Sequence, residues 1–266
     1  MIATIDQLGD RHELVKTPCR IVSLVPSITE LLCDLGLRDK VVGCTKFCVH
    51  PKGFKKSITI VGGTKKVNIT KVIDLQPDFI IANKEENTKE DIEALRLIAP
   101  VWVSDIDTVE RGLDMVRSIG ALCSAEERTS GIIEASASIL SSDFAEVKRV
   151  AYLIWRSPYM TIGGDTYIHD VLNRSGFENV FGESLRYPEV SIDVIKSKQP
   201  EVIFLSSEPF PFKQRHVEEL KEQLGQLPIV LVDGEYFSWY GSRVIHCKDY
   251  ISLLRQKIKN EKQNSR

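Results

Sequence analysis

An internal repeat constrains this chain more than any other feature. Val67 to Ile81 matches Val190 to Phe204 position for position. Each copy opens on a helix-capping residue, Asn68 or Ser191, and runs into a short amphipathic helix. Each then reads Gln-Pro-acid (Gln76-Pro77-Asp78, Gln199-Pro200-Glu201) and enters an apolar strand. Proline cannot continue the helix, so the spacing predicts a helix that stops and a strand that starts at the same place in both copies. The likeness extends further. Both copies continue through a polar helix, over Thr88 to Ile98 and His216 to Leu224, to a proline and a strand ending in Asp105 or Asp233. Upstream, Arg20 to Gly36 is echoed by Arg149 to Gly176 as strand, loop, helix and glycine.

Strands alternating with helices predict largely parallel sheets. The expected fold class is therefore α/β: two Rossmann-like lobes with mostly parallel sheets, joined by a long rigid backbone helix. The expected division is an N-terminal α/β lobe over residues 1–107, a connecting helical segment over 108–148 and a C-terminal α/β lobe over 149–266. In the connector, Ser124 and Glu127 have the spacing of a capping box. A helix of more than about twenty residues, carrying Ile132, Ile133, Ile139, Leu140, Phe144 and Val147, is expected to follow. With little glycine or proline it reads as a stiff strut. A short hairpin around Gly9-Asp10, holding His12, is expected at the start.

Charge narrows the partners. Lys and Arg total 35 against 37 Asp and Glu, a net charge of −2. A near-neutral chain has no sequence-wide field for phosphate backbones or anionic lipid, although a local basic patch is compatible with it. No stretch approaches the ~20 apolar residues of a membrane span, so neither nucleic acid nor membrane insertion is expected. Met1 to Gln7 has no charged n-region and no apolar h-region, so the chain as written is expected in the cytoplasm. Six cysteines in 266 residues are not disulfide density.

The strand-Pro-Ser-x-Thr-Glu-Leu opening (Arg20 to Leu32), the two repeat blocks and the connecting helix together resemble the helical-backbone substrate-binding proteins of ABC importers. That group takes up cobalamin, ferric siderophores, haem and some divalent metals. Gly176 to Phe181 and Tyr187 to Ser191 are most similar to its cobalamin-binding type. The resemblance implies a non-catalytic receptor, usually periplasmic or lipid-anchored, that holds a corrinoid or an iron chelate in a cleft between lobes and docks both lobes on a permease. It also implies no bound cofactor, and a monomer is expected. Family members often dock through one Glu on each lobe, at the start of the repeated helix. Here the matching residues are Asp193 and Thr70, a shorter acid and a neutral side chain.

Ligands of open α/β sheets lie off the carboxyl ends of strands. After the second strand comes Cys44 to Pro51, where Phe47 matches the family's ligand-stacking aromatic. Its alternative is a loop anchor. Cys44, Cys48 and His50 are donors that suit zinc, but no second Cys/His pair accompanies them, so ordinary core and loop residues are the favoured reading. In the second half the candidates are Trp155, Arg156 and Tyr159, and Tyr187, where the cobalamin type has Trp. The densest cluster is Tyr236, Phe237, Trp239, Tyr240 and Arg243. Such rings either grip a large flat ligand or plug the space under the last helix. His169, His216 and His246 read as ordinary helix residues. The chain lacks a Gly-x-Ser-x-Gly elbow, a His-Glu-x-x-His motif, a P-loop and a dinucleotide fingerprint. A binder is favoured over an enzyme. The alternatives are a cytoplasmic relative acting as a sensor, or one that handles metal or tetrapyrrole, catalysis included.

Overall fold

The computed structural model describes residues 2–140 and 146–264. The chain forms two compact units. Unit 1 comprises Met1–Ile106, Glu110–Ala135 and Tyr240–Arg243, and unit 2 comprises Asp107–Val109, Ser136–Trp239 and Val244–Arg266.

Unit 1 begins with the expected hairpin, β1 (Ile2–Ile5) against β2 (Arg11–Leu14). Its sheet holds β3 (Ile21–Ser23), β4 (Val41–Cys44) and β5 (Thr59–Ile60), and a small hairpin follows, β6 (Gly62–Gly63) with β7 (Lys66–Val67). The sheet is completed by β8 (Phe79–Asn83) and β9 (Val101–Ser104), in the all-parallel order β5-β4-β3-β8-β9. The helices are α1 (Pro26–Asp34), α2 (Ile69–Asp74), α3 (Lys89–Arg96), α4 (Val109–Cys123) and α5 (Glu126–Leu140), the last belonging to unit 2 from Ser136 onward.

Unit 2 builds a parallel sheet from β10 (Lys148–Leu153), β12 (Phe177–Asn179), β14 (Val202–Ser206) and β15 (Ile229–Val232), with β11 (Tyr159–Met160) and β13 (Glu189–Val190) pairing beside it. Its helices are α6 (Tyr167–Arg174), α7 (Ile192–Ser197), α8 (Gln214–Leu224), α9 (Glu235–Ser238) and α10 (Cys247–Asn264). The sheet order is β12-β10-β14-β15. This is the order β4-β3-β8-β9 of unit 1 repeated, with β5 as unit 1's extra edge. All five positions of β8 and all five of β14 are buried, as in strands covered on both faces. No described helix is long and apolar enough to cross a membrane.

The repeat is a physical module. Asn68 Oδ1 accepts the Lys71 N–H at 3.0 Å, and Ser191 Oγ accepts the Val194 N–H at 3.3 Å, so both caps form. Gln76 (φ 46°) and Gln199 (φ 51°) end α2 and α7 in the left-handed region, and the proline after each prevents helix from resuming. An arginine at the start of β3 and of β10, Arg20 and Arg149, covers the freed helix carbonyls. Arg20 Nη2 donates to Leu75 O at 2.5 Å, and Arg149 Nη2 donates to Lys198 O at 2.8 Å. The acid after each proline accepts the backbone N–H of that arginine, Asp78 at 2.8 Å and Glu201 at 3.0 Å. One five-residue turn thus ties a helix end to two neighbouring strands in each unit.

The expected strut differs. Helix α4 ends at Cys123, and Ser124 adopts φ 55°. The Ala125 N–H reaches Gly120 O at 2.8 Å and the Ser124 N–H reaches Ala121 O, the double bond pattern of a left-handed helix stop. Ser124 therefore closes one helix instead of capping the next, and its hydroxyl pairs with Thr17 at 2.9 Å. Helix α5 then spans Glu126–Leu140, while Val147 is non-helical, just before β10; Phe144 lies outside the described residues. The break folds α5 back on α4. A Cβ placed on Gly120 would lie 2.0 Å from Thr129 Oγ1, so the two helices meet where only a hydrogen fits.

Candidate functional site

The strand orders place a switch point in each unit. In unit 1 it lies between β3 and β8, and in unit 2 between β10 and β14, where strands fan out in opposite directions from the first strand. Loops at the carboxyl ends of these strands are the sites such sheets offer.

In unit 1, the loop after β4 is pinned from inside. Cys48 is fully buried, and its Sγ lies 3.1 Å from Thr29 Oγ1 and 3.3 Å from Thr45 Oγ1. Thr29 Oγ1 also donates to Ser23 Oγ at 2.8 Å, at the end of β3. This buried anchor leaves the preceding residue, Phe47, facing out with 49% exposure. Lys46 Nζ lies 5.0 Å from the centre of the Phe47 ring. A Cβ on Gly63 would stand 3.4 Å from the ring edge, so the β6–β7 hairpin backs the loop closely. A hydrogen bond from the Cys44 thiol pulls the Cys48 thiol down to about 7 against its burial, helped by Thr29 and Thr45, while Cys44 is pushed up by that bond and by burial. Among the described residues no three His, Cys, Asp or Glu side chains converge to hold a metal, so Cys44, Cys48 and His50 do not assemble a ligand set.

In unit 2, Trp155 follows β10 at the switch point and is 40% exposed. Its indole meets the Phe210 ring edge-on at 5.7 Å, and Phe210 continues to Phe212 at 4.8 Å and to His216 at 5.3 Å. Phe210 comes from the loop after β14 and was not among the sequence candidates. The signal available was an aromatic-proline run, Pro209-Phe210-Pro211-Phe212, directly after a repeat strand. Arg156 pairs with Glu219 at 2.7 Å, both partly exposed. Tyr159 is half-buried in β11, opposite Val190, and packs on the unit 2 core. Tyr187 is also half-buried, with the Arg186 guanidinium 5.4 Å from its ring centre.

The 236–243 cluster turns inward. Tyr236 is half-buried and stacks on Tyr250 at 4.2 Å with 3° between the planes. Phe237 is 0% exposed, held between Tyr152 at 5.3 Å and Phe204 and Tyr250 at 6.1 Å, so none of its ring is at a surface. Trp239 is buried and donates from Nε1 to Glu208 Oε1 at 3.0 Å, an oxygen that also accepts the Ser238 hydroxyl. Tyr240 is buried as well, its hydroxyl among Ser27 and Ser104. Arg243 makes a two-pronged contact with Glu30, at 2.9 and 2.6 Å. The expectation that these residues line a ligand surface is thus corrected for Phe237, Trp239 and Tyr240, whose rings are buried, and for Arg243, whose fork is taken by Glu30, as that of the candidate Arg156 is engaged by Glu219.

Thr70 and Asp193 occupy the second residue of α2 and of α7, and both are exposed.

A family model described as "Periplasmic binding protein" matches residues 21–225. Among curated proteins, the chain is similar to the vitamin B12-binding protein of Yersinia pestis, at 26% identity over 236 residues, covering 85% of this chain and 82% of that one. It is also similar to the vitamin B12-binding protein of Vibrio campbellii, at 27% identity over 194 residues and 70% of each chain. Among solved structures it matches the fold of the periplasmic vitamin B12-binding protein of Vibrio cholerae (TM-score 0.72, 22% identity, covering 92% of this chain and 98% of that one). A periplasmic haem-binding protein from Roseiflexus sp. RS-1 matches equally well in fold (TM-score 0.72, 17% identity, covering 91% and 98%).

Proposed function

The chain belongs to the periplasmic binding protein family, and on that footing we propose that it binds a corrinoid, haem or ferric chelate, without transforming it, for delivery to an ABC permease. The observation that carries this reading is a pair of exposed rings at the carboxyl ends of strands, Phe47 in unit 1 and Trp155 in unit 2. An aromatic face left in water costs free energy that a flat apolar ligand recovers, since each ring buries about 150–250 Å² when covered. The repeat supports the docking part: Asp193 and Thr70 stand exposed at matching positions of α7 and α2. The ligand-binding set proposed is Phe47, Trp155, Tyr159, Tyr187 and Tyr236, with Phe210 added.

The test is a fluorescence titration with cyanocobalamin, cobinamide, haemin and a ferric siderophore. Quenching by one of them with a Kd below about 100 μM, near −5.5 kcal/mol, is the expected result. Trp155→Ala then weakens that ligand about tenfold or more while lowering the melting temperature by only about 2–5 °C, the loss of its contact with Phe210. Absence of binding by all four refutes the ligand class. For docking, Asp193→Ala is expected to lower transport in a reconstituted importer with ligand affinity unchanged; unaltered transport refutes that role.

A further inference from the structure

Eight lysines and no aspartate or glutamate lie between Asp39 and Asp74. In a chain of net charge −2, every other residue together therefore sums to −10, so this one segment is strongly basic against an acidic remainder. Part of this charge lies on the loop, turn and hairpin about Phe47. Lys55 Nζ donates to Lys46 O at 2.7 Å, which brings the 51–57 turn back onto the Phe47 loop. The β6–β7 hairpin, with Lys65 and Lys66 exposed at its tip, lies against Phe47 and Lys46 through Gly63. Among the described residues, none of Lys46, Lys55, Lys65 or Lys66 makes a salt bridge. The ammonium groups of Lys55 and Lys65 meet main-chain carbonyls instead, of Lys46 and Glu85. Burial pushes the carboxyl of Glu86 up, against the pull of the Lys65 charge.

We propose that these lysines form an anion-reading collar around Phe47, so that the flat ligand stacked there carries carboxylate or phosphate groups. The inference rests on the proposed ligand class and narrows it. Clustered ammonium groups repel one another, and the repulsion is relieved by an anion on the same surface. Phe47 supplies the apolar platform and the surrounding lysines supply the charge, a combination suited to a macrocycle with an acidic periphery. A purely apolar or amide-fringed ring would use the platform and leave the collar unpaired.

The experiment uses the full chain and two corrins of one ring and opposite periphery: cobyrinic acid, which carries carboxylates, and cobinamide, which carries amides at those positions. The acid is expected to bind about tenfold tighter or more at about 20 mM NaCl, with the advantage shrinking toward about 500 mM as the charges are screened. A variant with Lys46, Lys55, Lys65 and Lys66 all changed to Gln loses the preference, and the corresponding Lys→Arg variant keeps it. Equal binding of the two corrins, or a preference that survives the Gln variant, overturns the collar while leaving the flat-ligand reading intact. If neither corrin binds, and haemin and its dimethyl ester also fail, the ligand class falls and the collar with it.

Discussion

The contact between Arg243 and Glu30 gives the sharpest test of the fold energetics. The pair joins residues 213 positions apart, at 2.6 and 2.9 Å, with side-chain exposures of 9% and 17%. Burial pushes the Glu30 carboxyl above its ordinary value, and Arg243 offsets that only in part. Arg243→Ala leaves the carboxylate buried without its fork, which costs about 3–5 kcal/mol. In a chain of this size that is a fall in melting temperature of roughly 10 °C. The pH dependence has a definite sign. A carboxyl whose folded value is raised binds its proton more tightly when folded, so stability rises as pH falls through that value. Removing Arg243 raises it further. The penalty of Arg243→Ala is therefore larger at about pH 8 than at about pH 5, by roughly 1 kcal/mol or more. The double variant Glu30→Leu with Arg243→Met removes both charges and is expected within about 1.5 kcal/mol of the natural chain. Urea and thermal unfolding of the three variants at both pH values measure this. A melting temperature for Arg243→Ala within about 2 °C of the natural chain, or a penalty independent of pH, refutes the reasoning.

Other outcomes follow from the same contacts. Gly164→Ala sets a Cβ 2.0 Å from the backbone oxygen of Gly182 and is expected to destabilise by more than about 2 kcal/mol, whereas Gly131→Ala meets nothing within 4 Å and is expected to stabilise its helix by up to about 1 kcal/mol; chemical denaturation separates them. Phe237→Ala empties a packed site and costs about 3–5 kcal/mol, while Trp155→Ala changes ligand affinity and costs only about 0.5–1.5 kcal/mol through its contact with Phe210, a contrast that calorimetry with titration reads directly. Asn68→Ala and Ser191→Ala each lose one cap, about 1 kcal/mol apiece, and their effects add because the caps sit in separate units. Although burial opposes its ionisation, Asp78 is held below its ordinary value by hydrogen bonds from the Cys19 thiol and from the Arg20 and Cys19 N–H groups. Its contribution is therefore present above the unfolded-state value and lost as pH falls through the folded one, and Asp78→Asn flattens that part of an acid unfolding curve.

Much of the architecture was legible because its code is local. The capping residues, the Gln-Pro-acid turn and the apolar strand lie within fifteen consecutive positions, and each acts on neighbours a few residues away. Their recurrence at Val67 and Val190 was enough to anticipate two similar α/β lobes, while the shared strand order appears only in the structure. Phe47 was singled out only through the family resemblance, with a loop anchor as its alternative; its 49% exposure comes from the buried Cys48 beside it, a contact between segments that the sequence does not show. Ser124 misled because its spacing to Glu127 satisfies a capping box, while the turn it actually makes is set by the close approach of α4 and α5 at Gly120 and Thr129.

What the sequence determined alone is therefore the repeated α/β module, its caps and its helix stops. Only the tertiary structure decided which aromatics face water. Phe237 and Phe47 both follow a strand end by a few residues, yet one is enclosed by Tyr152, Phe204 and Tyr250 and the other is half exposed. It also decided that Arg243 is spent on Glu30, and that the turn carrying Lys55 and the hairpin carrying Lys65 and Lys66 pack against the Lys46–Phe47 loop. The physical reason is that backbone capping sums contacts over one turn of chain, whereas burial and clustered charge sum contacts from segments that are adjacent only after folding.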